Sequence, residues 1–394
     1  MSVARRIVAD IERASWIRRM FEEGLHLKAE RGADKIFDFT LGNPEVEPPE
    51  PVLETLRRVV AENRAHSHGY MPNAGFPAVR AAIARRLEKR TGLPYTAEHI
   101  LMTCGAAGAC NVLLKSVLNP GDEVIVLAPF FPEYRFYIEN HGGRVVPVET
   151  TAEFQLDIGR IAAALTPRTR AILLNSPNNP SGAVYPAEAL AELNAMLGRH
   201  PDVIVVSDEP YRTLVFDGRT APETAAIIER CAIADSWSKA AALAGERIGY
   251  LALSPRIAEW AALRDAATFA SRVLGFINAS AIWQLVMSEA PEATIDVAAY
   301  QAKRDLVCGA LAGMGYELTR PAGTFYVFPK TPIADDVAFI RLLQREGVLA
   351  VPGSGFSRPG HFRLSLTVPR DAIERSLPAF ERALAAARAA SPTG

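Results

Sequence analysis

The chain has 394 residues, enough for about two to three domains and a large buried core, and its 49% hydrophobic and 22% charged residues exclude a disordered or collagen-like polymer. Its 43 Lys and Arg against 44 Asp and Glu leave a net charge of -1, which argues against a dedicated binder of nucleic acid or of an anionic membrane, since both need a concentrated positive field. Four cysteines, Cys104, Cys110, Cys231 and Cys308, stand apart without a C-x-x-C pair, so neither a zinc ribbon nor a disulfide framework is indicated and a reducing, cytoplasmic setting fits.

Residues 1–24 interrupt their apolar positions with charges every two or three residues, which predicts an amphipathic helix and not a signal peptide. No stretch approaches ~20 uncharged apolar residues, so no membrane span is expected. The segment LGNPEVEPPEPV, residues 41–52, carries four prolines and predicts a loop leading out of an N-terminal arm. Between about residues 100 and 255, short β-branched runs at 123–127, 144–148, 171–175, 203–207, 232–235 and 248–253 alternate with helical patterns such as 187–197. That alternation predicts βαβ units in an α/β fold, with a mostly parallel sheet covered on both faces. Beyond 256 the pattern changes to long helical stretches, 256–287 and 295–314. Short strands at 324–328, 348–351 and 362–367 and an Ala-rich helix at 370–389 follow, predicting a smaller α+β domain.

Four segments carry chemistry. In DSWSKAAALAGERIGY, residues 235–250, Lys239 stands at a predicted strand end, where burial and nearby cations would lower its pKa until the neutral amine attacks a carbonyl; alone, such a lysine is more often a solvated loop residue. Asp208 ends the apolar run VIVVSDEPY, and a carboxylate there requires a partner, whether ligand, helix N-cap or salt bridge. LLNSPNNPSG, residues 173–182, runs from a strand into a turn rich in Asn, Pro and Gly. TCGAAGAC, residues 103–110, is a small-residue turn opening a helix, which suits a phosphate and equally a tight packing turn.

Together, and in this order, the segments resemble the fold type I, class I/II aminotransferases that use pyridoxal 5′-phosphate, over about residues 37–366. The resemblance implies a large domain at 47–270 with a seven-stranded, mainly parallel sheet, a small domain at 271–394, and an arm at 1–46 that contributes to the small domain. It implies that Lys239 forms the Schiff base with the cofactor and shuttles the substrate proton, that Asp208 keeps the pyridine nitrogen protonated, and that Tyr211 and Asn179 hydrogen-bond its phenolic oxygen. Phe131 in APFFPEY would stack on the ring. Gly105, Ala106, Ala107, Ser236 and Arg247 would form the phosphate cup, with Tyr70 reaching the neighbouring subunit's site in a homodimer. Arg363 in HFRLSL would grip the substrate α-carboxylate beneath the loop of Gly42.

The implied reaction is ping-pong transfer of an α-amino group from an L-amino acid to a 2-oxo acid, with 2-oxoglutarate as the expected acceptor. A β-eliminating C–S lyase on the same scaffold is the alternative, because these motifs serve the cofactor and not the fate of the carbanion. The roughly 36 residues before the match hold no basic helix-turn-helix pattern, which sets aside a DNA-binding regulator. No metal site is expected. Related bacterial aspartate aminotransferases often carry a lysine for the distal carboxylate where this chain has Ala106 and Ala107. Arg272 either replaces that charge or flanks its helix, and Phe131, Phe276, Ile277 and Phe356 offer apolar surroundings for a side chain.

Overall fold

A computed structural model of the chain describes residues 2–13, 23, 24, 26–65 and 67–390. Of the predicted N-terminal helix, Arg5–Arg13 is helical, with Ile7 and Ile11 exposed one turn apart; most of residues 14–24 lie outside the described residues. A two-residue strand, Phe37–Asp38 (β1), precedes the proline-rich segment. There the irregular stretch ends earlier than expected, because the helix Glu50–Glu62 begins inside it, with Pro51 in a first turn where its missing N–H costs nothing.

The β-branched runs form a seven-stranded sheet from Ile100–Cys104 (β2), Glu123–Ala128 (β3), Arg144–Glu149 (β4), Thr169–Asn175 (β5), Ile204–Asp208 (β6), Cys231–Ser236 (β7) and Ile248–Leu253 (β8). Its order is β2-β8-β7-β6-β5-β3-β4, and β8 alone runs against its neighbours. Six of these strands match the predicted runs; β2, ILMTC, has only one β-branched aliphatic residue and was not among them. Successive side chains of the central strands enter opposite cores, as a strand covered on both faces requires. Ile125, Ile172, Val205 and Ile233 join one core, while Val126, Leu173, Val206 and Ala234 join the other.

The predicted helix over 256–287 is two helices, Trp260–Val273 and Ala281–Glu289. Gly275, at φ +78°, turns the chain out of the first, and the Ser280 hydroxyl caps the second by accepting from the Trp283 N–H. The predicted strand over 348–351 also divides. Tyr326–Val327 (β9) precedes it; Val348–Leu349 (β10) pairs in parallel with β1, and Val351–Pro352 (β11) joins the antiparallel order β11-β12-β9 with Phe362–Ser365 (β12). The helix Arg370–Ala390 closes the described chain. A third core gathers Phe39, Tyr211, Leu214 and Phe216 with buried residues between 295 and 387.

In the large sheet the succession of strands reverses between β3 and β5, and in open α/β sheets ligands collect at the carboxyl side of such a switch.

Candidate active site

At that edge β5, β6 and β7 end in Asn175, Asp208 and Ser236, which line a cavity of about 410 Å³. Asp208 is buried; the Tyr134 hydroxyl donates a hydrogen bond to its Oδ2, while its Oδ1 is buried without a hydrogen-bond partner. Burial raises the carboxyl to about 7; the Tyr134 bond opposes the rise, and the charges of Asp235 and Glu209 add to it. An orphaned buried carboxylate oxygen is costly unless a ligand brings it a donor.

Lys239 sits in the short helix Trp237–Ala240 that leaves β7, and its Nζ donates to the Gly42 carbonyl at 2.6 Å. Burial, assisted by the charges of Arg363 and Arg247, lowers the amine to about 8, so a useful fraction is neutral near physiological pH and able to act as base or nucleophile.

At one end of the cavity, the helix Gly105–Val117 starts directly from β2. Gly105 has φ +73°, and a Cβ there would lie 2.9 Å from Arg247 Nη2, so the turn and the guanidinium approach as closely as glycine allows. Arg247 donates to the Ala244 carbonyl at 2.9 Å and to that of Cys104 at 3.4 Å. Unsatisfied N–H groups of the first helical turn, the Ser236 hydroxyl and this guanidinium together suit an anion.

Elsewhere in the cavity, Arg363 of β12 is buried and donates to Asn179 Oδ1 at 3.1 Å and to the Thr40 carbonyl at 2.6 Å. Its guanidinium lies over the rings of Tyr326 (4.5 Å) and Phe356 (4.8 Å), and its Nε is buried without a partner. A guanidinium so fixed suits a carboxylate. Asn179 is itself held by Asn175, whose Oδ1 accepts from its backbone N–H at 2.7 Å, and the hydroxyls of Tyr211 and Tyr326 lie 3.2 Å apart.

Eleven sequence-selected residues line this single cavity: Gly42, Ala106, Ala107, Phe131, Asn179, Asp208, Tyr211, Ser236, Lys239, Arg247 and Arg363. Gly105 stands beside it against Arg247. Tyr70 is fully exposed and does not line it; nor does Arg272, at the end of its helix, whose guanidinium lies 5.8 Å from the Phe269 ring. Of the expected apolar surroundings only Phe131 lines the cavity. Phe356 backs Arg363, and Phe276 packs on the core beneath the sheet.

The family model of aminotransferase class I and II matches residues 34–380. The chain belongs to this family. An aspartate/prephenate aminotransferase of Thermus thermophilus is 37% identical over 374 residues, 91% of this chain and 93% of that protein. Among solved structures, an aminotransferase from Eubacterium rectale matches with a TM-score of 0.94 at 34% identity, covering 98% of this chain and 99% of that one. Aspartate aminotransferase from Thermus thermophilus with maleate matches with a TM-score of 0.85 at 32% identity, covering 98% and 100%. The chain is an aminotransferase of the fold expected from its sequence.

Among the lining residues of this aminotransferase's cavity that sequence reasoning did not select are Glu133, Tyr134, Tyr137, Asn175 and Tyr326. Asn175, Glu133 and Tyr134 lay inside quoted motifs, so their positions at the end of β5 and after β3 were an available signal. Tyr326 lay in a predicted strand with no motif around it.

Proposed function

We propose that this aminotransferase binds pyridoxal 5′-phosphate in the cavity and moves the α-amino group of an L-amino acid to a 2-oxo acid in two half-reactions. One observation carries the reading: the orphaned Oδ1 of Asp208 and the Lys239 amine, lowered to about 8, line one cavity whose end suits an anion. The residues fit the cofactor's three chemical ends. Asp208 would hold the proton on the pyridine nitrogen and so satisfy its free oxygen; Arg247, Ser236 and the first turn after Gly105 would bind the phosphate; Lys239 would meet the aldehyde carbon. When bound, the cofactor supplies an electrophilic carbon and a cationic ring that withdraws electrons from the substrate Cα.

The chain's own groups do the rest. Arg363 binds the α-carboxylate and fixes the Cα–H bond in orientation, with Asn179 holding one arm of the guanidinium. Lys239, in its neutral form, would take the proton from Cα and, as the ammonium so formed, deliver it to the cofactor's aldehyde carbon, which keeps the amino nitrogen. Phe131 supplies a ring face for stacking, and Tyr211 and Asn179 supply donors to the phenolic oxygen. The proposal extends to a homodimer in which the exposed Tyr70 serves the partner's site, and to a cytoplasmic setting, with which the four unpaired thiols agree. Among the described residues no helix is long and apolar enough to cross a membrane. The domain division at 46/47 and 270/271 belongs to the same proposal; the separate cores agree with it except that Tyr211, Leu214 and Phe216 pack with the smaller core and Ala279, Val286 and Met287 with the larger.

The test is the absorbance of the purified protein with pyridoxal phosphate. A visible band that an L-amino acid bleaches and a 2-oxo acid, such as pyruvate or 2-oxoglutarate, restores is the expected result. Lys239→Ala should lower the rate of that conversion about 10³-fold or more. A variant that converts at the native rate, or release of ammonia without any acceptor, overturns the reading.

A further inference from the structure

The cavity holds more charge than the proposed cofactor and the substrate α-carboxylate use. Among the described residues, its lining includes three cationic side chains, Lys239, Arg247 and Arg363, each with a role above, and two acidic ones, Asp208 and Glu133. No basic group is left over for a second substrate carboxylate: Ala106 and Ala107 take the place of a lysine, and Arg272 lies outside the cavity. Glu133, in contrast, is an acid without a task. It opens the helix Glu133–Asn140 two residues after Phe131, and its Oε2 is buried without a hydrogen-bond partner. Tyr137, one helical turn on, lines the same cavity. Burial raises the Glu133 carboxyl above its ordinary value; its own backbone N–H and the charge of Arg363 pull it part of the way back. A carboxylate left half-satisfied beside a substrate site favours a ligand that brings a donor and disfavours one that brings a like charge.

We propose that Glu133 reads the far end of the substrate side chain, selecting amino acids that carry a cationic or hydrogen-bond-donating group there and rejecting those with a distal carboxylate. The inference rests on the transaminase reading above, since Arg363 must anchor the α-carboxylate for Glu133 to meet the other end. The same repulsion makes 2-oxoglutarate a poorer amino acceptor than pyruvate, which has no second carboxylate.

The test is calorimetry on the holoenzyme with two unreactive probes, 5-guanidinopentanoate and glutarate, the desamino analogues of arginine and glutamate. The guanidino probe should bind at least about tenfold more tightly, the scale of a hydrogen bond to a buried charged group, and Glu133→Gln should bring the two constants toward parity. In turnover, kcat/KM for L-arginine and L-lysine relative to L-alanine should fall in E133Q, while that for L-aspartate relative to L-alanine rises. Tighter binding of glutarate by the native enzyme, or a probe ratio unmoved by the substitution, overturns the inference. If L-alanine converts the cofactor band while the probe ratio fails, the transaminase reading stands and only the role of Glu133 falls; if no amino acid converts it, both fall.

Discussion

Lys239 carries the cost of the site in its own ionisation. Burying its ammonium near Arg363 and Arg247 lowers the amine from the ordinary 10.5 to about 8, a difference worth about 3 kcal/mol against the fold while the lysine stays protonated. The sign follows from proton counting. Below about pH 8 both the native and unfolded chains hold the proton, and the native state carries the full burial penalty. Between pH 8 and 10.5 the unfolded chain binds more protons, so native stability rises with pH; above 10.5 the penalty is gone. Without added cofactor, Lys239→Met should therefore be more stable than the native chain by about 3 kcal/mol at pH 7, and the gap should close as pH rises toward 10.5. Urea unfolding at a series of pH values measures it, and a gap independent of pH contradicts the lowered amine.

Elements were legible where one period dominated. β3, β5, β6 and β8 stood out as apolar β-branched runs because both faces of the sheet are covered; of the motif residues, Asp208 ends β6, while Asn179 and Lys239 lie just beyond the carboxyl ends of β5 and β7. What stayed hidden depends on tertiary contact. β2 is a strand because β8 lies beside it, from Ile100 opposite Ala252 to Cys104 opposite Ile248, and nothing in ILMTC alone says so. The break between Val273 and Ala281 was masked by helix-forming residues on either side of Gly275. Glu133 and Tyr134 lay inside the motif APFFPEY, but their partners Arg363 and Asp208 are far off in sequence, and only the turn after β3 brings them together. The junction of β2 with the helix Gly105–Val117 is where element geometry meets function. In Gly105→Ala, a positive φ unfavourable for alanine and a Cβ against Arg247 Nη2 should cost about 1–2 kcal/mol in urea unfolding. Displacing the guanidinium should also weaken pyridoxal phosphate binding about tenfold or more. Unchanged cofactor affinity in this variant separates Arg247 from the phosphate.

At the scale of the whole molecule, the sequence-selected Tyr70 sits outside its own cavity. The loop between the helices Glu50–Glu62 and Pro77–Thr91 is pinned at Ala74, whose carbonyl accepts from the Met102 N–H of β2, and it holds Tyr70 fully exposed. An aromatic side chain with no burial in its own chain, on a loop tied to the sheet, is suited to entering a second copy; a twofold pair would give each cavity one such residue from its partner. The proposed homodimer is thus testable by complementation. Lys239→Ala lacks the base in its own cavity, and Tyr70→Ala removes the donated hydroxyl from its partner's. In a hybrid of the two, one cavity combines both defects, while the other combines an intact Lys239 with the intact Tyr70 of the opposite chain. Random reassembly of equal amounts makes half the dimers hybrid, so about a quarter of all cavities should regain native composition and the mixture should approach a quarter of native activity. Tyr70 acting within its own chain would give no hybrid cavity with both residues intact. Activity that stays at the mean of the two variants, in a mixture shown by mass to contain hybrids, would therefore remove Tyr70 from the partner's site.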